Sequence, residues 1–148
     1  MLKAMAGQRA FLDSQDLVDL RTLFEHGVHA SDVVVLLATK GVLTRPWCLL
    51  ELLWAIESGV PIVGVNIVND GYDFADASEF LLNLKTRLTE PDSVKLLADN
   101  GFPDLERAGA TLHAVVPKVI SMSLDFARSA RVLGAMDDGM ISHDGVLR

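Results

Sequence analysis

Apolar residues recur along this chain in two rhythms. Residues 32–39, DVVVLLAT, form a continuous run rich in β-branched side chains, bounded by Ser31 and Gly41. Such a run predicts a parallel strand buried on both faces. PIVGVNIV (61–68) repeats the pattern, and NDG after it is a turn signal. RAFLD (9–13), behind Gly7, reads as a further short strand. Between these runs the spacing changes to that of helices. Leu17, Leu20, Leu23, Phe24 and Val28 recur at intervals of three and four in DLVDLRTLFEHGVHAS. RPWCLLELLWAIESG (45–59) is apolar almost all round, with Pro46 to open a helix and Gly59 to close it.

Farther on, SEFLLNLKTRL predicts a helix capped by Ser78, and DSVKLLADNG a shorter one stopped by Gly101. GATLHAVVPKVIS predicts a helix limited by Pro117. ISMSL (120–124) reads as a last strand, followed by a helix in ARSARVLGAMDDGM. Strands alternating with helices predict one α/β domain over residues 1–148, with a parallel sheet of flavodoxin-like type and helices on both faces. No repeat, low-complexity tract or linker divides it.

Composition narrows the function classes. Hydrophobic residues make up 50% of the 148 and charged residues 22%, which excludes a disordered tail. A net charge of −7 without any basic, aromatic-studded cluster argues against nucleic acid and against an anionic membrane surface. The longest apolar run, VVVLLA, is far shorter than the ~20 residues of a membrane span. The N-terminal MLKAMAGQRAFLDS lacks the apolar core of a signal peptide. Cys48 is the only cysteine, so no internal disulfide forms, and a reducing, cytoplasmic setting is expected.

Ligands of open parallel sheets sit outside the carboxyl ends of the strands. That directs attention to the segments after Asp13 and after Thr39, and to the helix that follows the second of them. Its centre carries one acid, Glu51. Thr44, Glu51 and Ser58 are seven apart and form a stripe, as solvent-facing residues do. Trp47 and Trp54 flank the same acid at i−4 and i+3. A carboxylate between two indoles loses hydration, which raises its pKa and suits it to stabilising a developing cation. The spacing leaves both readings open.

Other constellations are weaker. Glu25, His26 and His29 share a helix but lack a further ligand, so surface residues are expected. Asp70, Asp73, Asp76 and Glu79 suggest calcium, but aligning Gly71 to the glycine of an EF-hand loop puts Val68 and Ala77 at ligand positions. A turn with helix capping is the better reading. Cys48 has no base beside it in the sequence and is expected to pack in the core. ATKGVLTRP does not match a phosphate loop, which excludes P-loop chemistry.

In SDVVVLLATKGVLTRPWCLLELLWAIESGVPIVGV the pairs Ser31-Asp32, Trp47-Cys48 and Glu51-Leu52 stand in a strand–helix–strand frame that ends in Pro61 to Val65. This stretch resembles the Toll/interleukin receptor (TIR) domain. RAFLDSQDL is similar to that family's second strand and the start of its BB loop. SMSLDFARSARVLGAM is similar to the last strand and helix of algal and protist TIR domains. The resemblance implies cytoplasmic signalling, of the innate-immune or cell-death kind, by association with other TIR domains or with itself. The BB-loop contacts would come from Asp16, Leu17, Val18, Asp19 and Leu20.

It also implies NAD+ nucleosidase activity in some members, with Glu51 as the catalytic glutamate. Asp13, Ser14, Thr39 and Trp47 would then border the substrate. NAD+ would be a substrate; no cofactor or metal is implied. Only MLKAMAG precedes RAFLD, so the chain resembles a TIR domain lacking its first strand and most of its first helix. That leaves three expectations side by side: an NAD+ glycohydrolase, a non-catalytic docking module, and an inactive fragment.

Overall fold

The computed structural model describes residues 27–128. Three strands form the sheet: β1 (Val34–Ala38), β2 (Ile62–Ile67) and β3 (Ser121–Leu124). All are parallel, and they lie side by side in sequence order. Parallel neighbours need a crossover of a dozen or more residues. Helix α1 (Pro46–Ser58) makes the first. The second contains α2 (Phe74–Leu82), the single turn α3 (Leu84–Arg87), α4 (Pro91–Asp99) and α5 (Leu105–Val115). The chain is an α/β domain of flavodoxin-like type, and no described helix is long and apolar enough to cross a membrane.

Helix α1 begins and ends where its sequence indicates, with Pro46 in its first turn and Gly59 at φ 69° as its C-cap. Its apolar character matches its cover: within it only Glu57 and Ser58 are exposed. Leu36 of the sheet, α4 and α5 share one core with its Leu49, Leu50, Leu52 and Leu53. Each leucine fully withdrawn from water contributes about 1.5–3 kcal/mol. Helix α2 starts earlier than the predicted Ser78 cap. Asp73 is the N-cap, its carboxylate accepting from the amides of Ala75 and Asp76 at 2.8 and 2.9 Å. Asp104 caps α5 in the same way.

The register separates the two faces of the sheet. Leu36, Ala38 and Gly64 are buried on the helix side. Val35, Leu37, Val63, Val65, Ile67, Met122 and Leu124 share the other. Every residue of that second set is apolar, yet Val35 is 44% exposed, Leu37 52% and Met122 70%. The described helices therefore cover one face, where the continuous apolar runs predict cover on both. The strand expected at 9–13, most of the helix expected to end near Val28, and most of the helix expected in 127–140 lie outside the described residues.

Candidate functional site

A cleft of about 510 Å³ opens along the outer side of β1 and at its carboxyl end. Val34 to Leu37 form one wall, so the groove follows the strand almost throughout. Thr39 and Lys40 continue that wall past the strand end, and Asp70 reaches in from the loop after β2. Arg45, Cys48, Glu51 and Leu52 form the opposite wall. Arg45, Cys48 and then Glu51 with Leu52 follow at three- and four-residue steps and so present one stripe of α1 and its cap to the cleft.

Local geometry fixes this mouth. The Thr39 amide bonds back to the Leu37 carbonyl at 2.9 Å, which turns the chain out of the sheet. Gly41 takes φ 72°, a left-handed conformation that suits glycine, and a short 3-10 turn over Val42–Thr44 leads into Pro46. The Thr44 hydroxyl donates to the Gly41 carbonyl at 2.7 Å and tightens that turn. Across the mouth, Gly71 has φ 75°, and a β-carbon on it would lie 3.5 Å from Cδ of Lys40. The lysine stem thus rests on the loop that brings in Asp70.

Glu51 is half-buried and lines this cleft together with Thr39. Neither Trp47 nor Trp54 is among the lining residues. Both are half-buried and pack against the hydrophobic core. At 100° per residue, Arg45, Cys48 and Leu52 lie roughly 60–120° to one side of Glu51, and the two tryptophans roughly 40–60° to the other. Glu51 therefore stands on the border between cleft and core. Trp54 meets His29 and Phe102 edge-on, with centroids 5.1 and 6.0 Å apart. Cys48 serves both surroundings, lining the cleft and packing on the core. Ser58, expected in the same stripe as Glu51, is exposed and bonds to Nδ1 of His29 at 2.8 Å.

Lys40, Arg45 and Asp70 are the cleft residues that sequence reasoning missed. Lys40 follows Thr39 in the loop already singled out, and Arg45 precedes the opening proline, so position could have found both. Asp70 was weighed only as a calcium ligand. With Glu51 they place two cations and two acids around one opening. Asp13, Ser14 and the expected BB-loop residues Asp16, Leu17, Val18, Asp19 and Leu20 lie outside the described residues, as do Glu25 and His26.

A second cavity, about 330 Å³, lies between the helix side of the sheet and α2. It is mainly apolar, with Leu36, Tyr72, Phe74 and Val116 among its lining. Ser78 also lines it, its hydroxyl 3.1 Å from Nε2 of His113. Burial pushes the Tyr72 hydroxyl above its ordinary pKa. Among the described residues no group of three or more acidic, histidine or cysteine side chains is placed to hold a metal ion. No protein-family model, curated protein or solved structure matches this chain.

Proposed function

We propose that this chain is a TIR-like signalling domain of the cytosol that works by homotypic association and cleaves NAD+ at the nicotinamide–ribose bond through Glu51. One observation carries the catalytic part: a half-buried acid lines a cleft at the carboxyl end of a parallel strand, opposite Lys40 and Thr39. The cleft falls within the roughly 300–1,000 Å³ of small-molecule sites.

In the proposed reaction the bond between the ribose anomeric carbon and the pyridinium nitrogen breaks, and its electron pair leaves with nicotinamide. The leaving group departs neutral, so no general acid is required. The cation left on the ribose is oxocarbenium-like, and the Glu51 carboxylate stabilises it as carboxylates do in glycoside cleavage. Water then adds to the anomeric carbon and releases a proton, giving ADP-ribose. Lys40 and Arg45 match the two negative charges of the dinucleotide's pyrophosphate.

The test is incubation of the purified chain with NAD+, with nicotinamide followed by chromatography. Turnover by the wild type, with Glu51→Gln reducing it at least about a hundredfold, is the expected result; removal of one electrostatic stabiliser typically costs 10²–10³ in rate. Absence of turnover, with self-association still measurable, would leave the non-catalytic docking module as the reading.

A further inference from the structure

The cavity between the sheet and α2 exists because small residues face each other across it. The sheet contributes Ala38, Gly64 and Ser121, and α2 contributes Ala75, Ala77 and Ser78. Helix α2 takes its main packing from α5, which holds it off the small side chains of the strands. Protein interiors contain few voids larger than a water molecule. This space measures about 330 Å³, at the lower end of the range of small-molecule sites. That is the liquid volume of roughly ten waters.

The lining says what chemistry fits. It carries no charged side chain, in contrast to the four around the β1 cleft. An ion entering it would lose its hydration without gaining a partner, so the occupant is uncharged. Three side-chain hydroxyls line it, those of Tyr72, Ser78 and Ser121. They satisfy few waters, and displacing poorly held water with apolar surface is favourable. Ser78 specifies the polar end of the occupant. Its hydroxyl lies 3.1 Å from Nε2 of His113. Whether it donates to that nitrogen or accepts from it, at least one of its lone pairs stays available. The occupant therefore carries a hydrogen-bond donor. Tyr72 and Phe74 specify the rest. Both line the cavity and meet edge-on, with centroids 4.9 Å apart and planes at 88°. Phe74 is 53% exposed, so much of its ring is open to contact by a further ring.

We propose that this cavity binds a small, uncharged aromatic molecule with one hydrogen-bond donor, of the phenol or indole type. The donor meets the Ser78 hydroxyl, and the ring lies beside Tyr72 and Phe74. The site is on the helix side of the sheet and shares only Leu36 with the cleft that holds Glu51. Occupancy there is therefore independent of NAD+ cleavage.

Nuclear magnetic resonance titration of the full chain with indole tests this. Millimolar indole should shift the amides of Ser78, Val119 and Ser121 saturably, and benzoate at the same concentration should not. Toluene, which lacks the donor, should bind about tenfold more weakly. Ser78→Ala keeps the space and removes the acceptor, so it should weaken indole about tenfold and leave toluene no weaker. Ala77→Leu should abolish binding of both by filling the space. If that variant does not fold, the comparison of Ser78→Ala with the wild type still decides. The absence of saturable shifts, an equal response to benzoate, or an indole affinity indifferent to Ser78→Ala would overturn the proposal. Shifts centred on Val35, Leu37 and Met122 would also overturn it and mean adsorption to the exposed face of the sheet.

Discussion

Gly109 of α5 lies so close to Leu81 of α2 that a β-carbon on the glycine would stand 2.5 Å from the Leu81 carbonyl oxygen and 2.9 Å from Cβ of Leu84. The two helices cross at a point where only hydrogen fits. Because the nearest obstacle is backbone, no rotamer change relieves it. Gly109→Ala should therefore lower stability by about 1–3 kcal/mol despite alanine's better helix propensity. Chemical denaturation checks this: the midpoint should fall with the slope unchanged. A stability equal to or above wild type would mean that the helices separate at little cost.

Gly64 gives a contrasting case. A β-carbon there would meet Oγ of Ser121 at 2.3 Å and Cβ of the same residue at 3.2 Å. The hydroxyl can rotate away, whereas the β-carbon belongs to the paired strand. Gly64→Ala should destabilise the protein, and Ser121→Gly in the same chain should recover most of the loss. A double-mutant cycle measures the coupling; additive effects would refute it.

Asp73 holds two orphan amides of α2. Asp73→Ala should cost about 1 kcal/mol, and Asp73→Ser should restore most of it. Ser78→Ala, at the position where the sequence predicts the cap, should leave helix initiation unchanged. The far-ultraviolet melting curves of the three variants separate these outcomes.

Stability should fall as the solution becomes strongly alkaline. Tyr72 is half-buried, and desolvation raises its folded pKa above the ordinary 10.0. Above pH 10 the unfolded chain loses the tyrosine proton while the folded chain retains it, so the equilibrium shifts towards unfolding. Lys95 acts with the same sign: its hydrogen bond to Asp99 raises its pKa above 10.5. Tyr72→Phe should flatten the alkaline limb of a stability–pH profile. An unchanged limb would show that the hydroxyl ionises as easily in the fold as outside it.

Association is the other half of the proposed function. If DSQDLVDLRTL makes the contacts, reversing Asp16 and Asp19 to lysine should change the self-association constant by about tenfold, or 1.4 kcal/mol. Sedimentation equilibrium reads this directly. An unchanged constant would move the contact to another surface.

The legible parts of this chain were those with local causes. Pro46 and Gly59 bracket α1 because one residue fixes φ and the other accepts the left-handed conformation. The apolar runs at 32–39 and 61–68 yield strands because nothing in them breaks extended backbone. What escaped the sequence is non-local. Ser78 is a plausible cap until His113, 35 positions away, occupies its hydroxyl inside the fold. The glutamate at the cleft was legible as a lone acid, but its company there was not: Lys40 and Arg45 come from the connection between β1 and α1, and Asp70 from the loop after β2. An apolar run states that a strand is hydrophobic on both faces. It does not state which face the neighbouring helices reach.

Sequential strand order carries a consequence for the order of assembly. Because β1 pairs with β2, and β2 with β3, no described strand must wait for a distant partner to be threaded between its neighbours. Each pairing closes over the helices that link its own two strands, so entropy is lost in modest steps. On the ribosome β1, α1 and β2 emerge well before β3, while α4 and α5, which complete the core around α1, emerge between β2 and β3.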